Sequence, residues 1–97
     1  MRDKFISKDV SSKRIGLLGG MSATSSQLYY AELCRLTQAE RGGLSSPDLM
    51  LRSLDFAPLE AWMASGNWDA IADTLSREAS HLHAAGAEVI ALATNTM

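Results

Sequence analysis

An α/β fold, with a parallel sheet covered by helices on both faces, is predicted here from three observations. Short apolar runs alternate with stretches of helical periodicity, glycine and hydroxyl residues punctuate each change of period, and the order reads strand, helix, strand, helix, strand. The length of 97 residues, 46% of them hydrophobic, suits one small domain.

Met1 to Lys13 mix Arg2, Lys4, Lys8 and Lys13 with Asp3 and Asp9 and hold no continuous apolar stretch. Residues 1–13 therefore read as a disordered extension, and 14–97 as the domain. Arg14-Ile15-Gly16-Leu17-Leu18 is the first strand, buried and central, ending at Gly19-Gly20. Ser22, Thr24, Ser25 and Ser26 then offer hydroxyls for capping, and Tyr29, Leu33 and Leu36 recur at i, i+4 and i+7, which predicts a helix over Thr24 to Ala39.

Arg41-Gly42-Gly43 ends that helix, and a turn at Ser45-Ser46-Pro47 leads to a second strand over Leu49 to Leu54. Leu59 to Ala64 is expected as a short helical turn, stopped at Ser65-Gly66, with Asn67 capping the next helix. There Trp68, Ile71, Ala72, Leu75, Ala79 and Leu82 share one face, and Gly86 stands where a helix ends. Glu88 to Leu92 is the third strand, after which the chain reads Ala93-Thr94-Asn95-Thr96-Met97. Strands joined by helical crossovers form a doubly wound, Rossmann-like or flavodoxin-like sheet.

Ligands of such sheets bind beyond the carboxyl ends of the strands. The expected site is therefore Gly19-Gly20-Met21-Ser22, Asp55-Phe56 and Ala93-Thr94-Asn95-Thr96. The glycines do not match the dinucleotide pattern Gly-x-Gly-x-x-Gly, and no Gly-Lys-Ser/Thr follows them to make a phosphate loop. They do permit backbone amides and a helix start to approach a small anion such as a carboxylate, although a tight turn without a ligand has the same composition. Thr94, Asn95 and Thr96 add donors and acceptors suited to an amino acid, and suited equally to capping a following helix.

Other classes of partner are excluded or unsupported. A formal net charge of -2 provides no basic field for nucleic acid. No stretch approaches the roughly 20 apolar residues that span a bilayer, so neither a membrane nor nucleic acid is an expected partner. One cysteine, Cys34, allows no intrachain disulfide and no cysteine zinc cluster; it reads as a buried small hydrophobe in a cytoplasmic protein. His81 and His83 lie about 200° apart around a helix and cannot chelate one metal, so no metal site is expected, and with neither nucleotide motif present no cofactor is expected.

Two segments taken together carry more information than either alone: Ile15-Gly16-Leu17-Leu18-Gly19-Gly20-Met21-Ser22 and Ala93-Thr94-Asn95-Thr96-Met97. They resemble the aspartate/glutamate racemase family. Tyr29-Tyr30, Gly42-Gly43-Leu44, Ser53-Leu54-Asp55-Phe56, Gly66-Asn67-Trp68-Asp69 and Ala85-Gly86-Ala87-Glu88 are similar to its broad-specificity branch, so the resemblance runs from about Lys13 onward.

The resemblance implies a pyridoxal-independent enzyme of two similar lobes. Their facing cysteines act as acid and base on an acidic amino acid, because inversion removes a proton from one face of the α-carbon and delivers one to the other. It implies substrate binding by Met21, Ser22, Thr94, Asn95 and Thr96, and places Ala93 where the first cysteine stands. The second cysteine belongs to the other lobe. Arg52 lies within a strand and is not a secure match for the arginine that grips the side-chain carboxylate in aspartate-specific relatives, which leaves the side-chain specificity open. Two functions fit: a racemase lobe inactive as this chain, and a non-catalytic module that binds a carboxylate or a partner, as a homo-oligomer or by pairing with a second lobe.

Overall fold

The computed structural model describes residues 13–94. The reading of 1–13 as an extension therefore falls, except for Lys13, outside the described residues, as do Asn95, Thr96 and Met97. Strand β1 (Ile15–Gly19) is followed by α1 (Ala23–Arg41), β2 (Leu49–Ser53), α2 (Phe56–Ser65), α3 (Trp68–Ala84) and β3 (Val89–Leu92). The sheet order is β2-β1-β3 and every pairing is parallel. Register runs from Ile15 opposite Leu49 and Val89 to Leu18 opposite Arg52 and Leu92.

β1 is buried along its whole length because it is hydrogen-bonded on both sides and covered on both faces. Its side chains divide by the strand period of two. Ile15 and Leu17 pack with Tyr29, Leu33 and Ala93 beneath α1, whereas Leu18 packs with Met21, Leu54, Leu59, Ile71 and Leu82 beneath α2 and α3. Helices thus cover both faces, as expected.

On α1, Ser26, Tyr29, Leu33 and Thr37 form the buried stripe. Leu36, expected on that stripe, is half-buried, and Thr37 takes the inner place with a hydroxyl that has no hydrogen-bond partner. Helix α2 is longer than the single turn expected, since the Asp55 carboxylate accepts the Ala57 N–H at 3.2 Å and starts the helix at Phe56.

The cap expected for α3 is in place: Asn67 Oδ1 accepts the Ala70 N–H at 3.2 Å. Its end is a Schellman turn, with Gly86 at φ 112°, the Gly86 N–H donating to the His83 carbonyl and the Ala87 N–H to that of Leu82. The packed face differs from expectation at two positions, for Trp68 is 60% exposed and Ala72 is exposed. Ile71, Leu75, Glu78 and Leu82 lie within a narrow arc, whereas Ala72 is about 100° further round and Trp68 opens the first turn.

Candidate functional site

The carboxyl ends of the strands are drawn together by backbone hydrogen bonds. The Leu54 N–H donates to the Gly19 carbonyl at 2.8 Å, and the Ala93 N–H to that of Leu18 at 2.8 Å. These bonds extend the β1–β2 and β1–β3 pairings past the strands, so the glycine loop, the Leu54-Asp55 corner and Ala93-Thr94 share one edge. The sequence places its candidate residues there, and the fold unites those that are described.

Gly20 is the sharpest constraint on this edge. Its φ is 86°, and a Cβ added there would stand 2.2 Å from the Leu54 carbonyl oxygen and 2.5 Å from the Leu54 nitrogen. Only a residue without a side chain lets the two loops touch.

The individual candidates differ in what they present. Met21 is 1% exposed, its side chain packed with Leu18, Leu54 and Leu59. Ser22 is the N-cap of α1, with Oγ accepting the Ser25 N–H at 3.3 Å. Thr94 is half-buried. Ala93 is fully buried against Tyr29 and Leu33, pinned by its amide, and its methyl group offers neither acid nor base.

Arg52 serves elsewhere: its Nε donates to Glu78 Oε1 at 2.9 Å and Nη2 to Oε2 at 3.4 Å, across the layer between β2 and α3. His81 Nδ1 stands 3.4 Å from the same Oε1. Hydrogen bonds from Arg52 hold the Glu78 carboxyl below its ordinary range against the opposing effect of burial, and His81 adds to the lowering. A carboxyl whose pKa is depressed by folding contributes stability above its unfolded pKa and loses it as pH falls through the folded one. Urea midpoints are therefore expected to drop as pH is lowered beneath the ordinary carboxylate range, and Glu78→Gln to flatten that part of the profile. An unchanged slope in the variant would refute the assignment.

Cys34 is half-buried instead of buried, one turn beyond Tyr30, and its neighbouring side chain raises the Tyr30 hydroxyl above its ordinary pKa. His81 and His83 are exposed, and among the described residues no group of three or more His, Cys, Asp or Glu could hold a metal. No helix of the described residues is long and apolar enough to cross a membrane.

Two residues hold places that the sequence did not assign to them: Ser26 was expected only as a capping hydroxyl, and Glu78 not at all. Ser26 is buried against the glycine loop, and Glu78 is buried on α3. The signal for Ser26 was present in the spacing, since it precedes Tyr29 and Leu33 by three and seven positions on the packed stripe. Nothing in the local sequence marks Glu78, whose partner Arg52 lies 26 residues away.

Fold and edge together define one lobe of a doubly wound α/β protein whose carboxyl-end loops follow β1, β2 and β3. The crystal structure of a candidate Asp/Glu racemase from Yersinia pestis is similar to it, with a TM-score of 0.84 and 45% identity over 88% of this chain and 37% of that one. An aspartate racemase homologue from Pyrococcus horikoshii OT3 matches with a TM-score of 0.68 and 33% identity, over 87% of this chain and 36% of that one. No protein-family model matches the chain. The chain belongs to the aspartate/glutamate racemase family, as one lobe of that fold. It spans little more than a third of the length of these two relatives.

Proposed function

We propose that this lobe holds the α-carboxylate of an acidic amino acid at the β1 and β3 loops, as in a pyridoxal-independent racemase, but performs no proton transfer by itself. The observation that carries this reading is Ala93. It stands at the end of β3 with its amide on Leu18 and 0% of its surface exposed, at the position where the family resemblance expects a thiol. Inversion needs an acid and a base on opposite faces of the α-carbon, and a methyl group is neither. Ser22, Thr94, Asn95 and Thr96 supply hydrogen-bonding side chains, Met21 its backbone, and the protein acts in the cytoplasm without a cofactor or metal.

The test is direct. With L- and D-aspartate and L- and D-glutamate in deuterated water, the expected result is no α-proton exchange above buffer, together with shifts of the Ser22 and Thr94 amide resonances on titration with L-aspartate. Exchange by the unmodified chain would refute the catalytic part, and unshifted amides the binding part.

One observation favours a second reading, self-association. β3 is an edge strand among the described residues, and Ile90 and Leu92, two positions apart on one face, are 36% and 45% exposed. An apolar, unpaired edge is a template for a further chain. Light scattering that shows a dimer dispersed by Leu92→Lys would support pairing of two copies there; a monomer at high concentration would remove this reading.

A further inference from the structure

The Gly20 amide, one of those that the glycine loop could offer to a small anion, is engaged within the protein. Its N–H donates to Ser26 Oγ at 2.9 Å, and the Ser26 hydroxyl proton is directed to the Ser22 carbonyl at 3.3 Å. Ser26 is 6% exposed, on the sheet-facing side of the first turn of α1. One buried hydroxyl thus ties together both ends of the segment from Gly20 to Ser22. Gly19 makes room for it, because a Cβ there would stand 2.4 Å from Ser26 Oγ and 3.1 Å from Ser26 Cβ. On the other side Gly20 lies against the Leu54 backbone. The loop is held between Ser26 and Leu54.

We infer that Ser26 is a positioning residue of the carboxylate site, an assignment that rests on the functional reading above. Its hydroxyl satisfies the Gly20 amide and sets the backbone of the Gly19–Ser22 loop, so that a carboxylate meets the amides that open α1 and not that of Gly20. Of those first-turn amides, that of Ser25 is capped by Ser22 Oγ and that of Ser26 is bonded to the Ser22 carbonyl, which leaves those of Ala23 and Thr24 without a partner within the helix, where the positive end of the helix dipole favours an anion.

Nitrogen-15-labelled protein tests this with three readouts: amide exchange at Gly20, L-aspartate affinity by resonance titration, and the urea midpoint. Ser26→Ala is expected to accelerate Gly20 exchange and to weaken L-aspartate binding by about tenfold, the scale of one buried hydrogen bond. Ser26→Thr, which keeps the hydroxyl, is expected to restore both. Gly20 exchange unaltered by Ser26→Ala, with binding intact, would overturn the assignment to Ser26 alone. So would an affinity loss that Ser26→Thr fails to restore while Gly20 stays protected, since packing would then be the cause. Absence of binding by the unmodified protein would instead overturn the carboxylate reading and the site with it.

Discussion

Gly20→Ala is expected to destabilise the protein by at least about 3 kcal/mol, because a strained φ and a steric collision act at the same atom. At φ 86° an L-residue carries strain of its own. The added Cβ would also fall 2.2 Å from the Leu54 carbonyl oxygen. That oxygen cannot retreat cheaply, since the Leu54 N–H is bonded to the Gly19 carbonyl at 2.8 Å and the Leu54 side chain is buried in the core. Gly43→Ala is the control: φ is 60° there, yet nothing lies within 4 Å of the new Cβ. It should cost only the conformational strain, about 1 to 2 kcal/mol. Urea unfolding of the two variants checks the pair, and equal losses would show that the contact with Leu54 is not the cause.

Leu18→Ala is expected to cost about 3 kcal/mol, within the range of buried leucine truncations. Leu18 is 1% exposed and stands in the middle of the larger core cluster, among Met21, Leu54, Leu59, Ile71 and Leu82. It faces helices that bear on a hydrogen-bonded central strand, so the gap left behind has little means of collapsing. Against total stabilities of about 5 to 15 kcal/mol for native proteins, such a loss removes a large share. Leu44→Ala, at a residue 101% exposed, should fall within about 0.5 kcal/mol of the unmodified protein. Measured urea midpoints decide the matter, and a loss at Leu18 no larger than that at Leu44 would refute the packing account.

The two variants bear on the site as well as on the core. The Leu18 carbonyl holds the Ala93 amide, and Gly20 holds the first loop against Leu54. The edge that the functional reading assigns to a carboxylate is therefore built from the same contacts that join β1 to both neighbouring strands. Ala93, packed by Tyr29 and Leu33, offers neither acid nor base at that position.

Local chemistry was sufficient for much of this architecture. The apolar run at Ile15 to Leu18 ended by glycines, the Asn67 cap, the Gly86 terminus and the strand after Glu88 all express short-range rules, in which a residue's own conformational preference or the next turn of chain decides the outcome. The loops at the carboxyl ends of the strands followed from the alternation of elements alone, and the paired motifs at Ile15–Ser22 and Ala93–Met97 carried the family. Tertiary structure alone decided the contacts between elements: that Arg52 is spent on Glu78, that Trp68 faces solvent, and that Ser26, not a ligand, takes the Gly20 amide. Each of these depends on the register of one element against another and on the spacing between layers, quantities that periodicity within a single helix or strand does not contain.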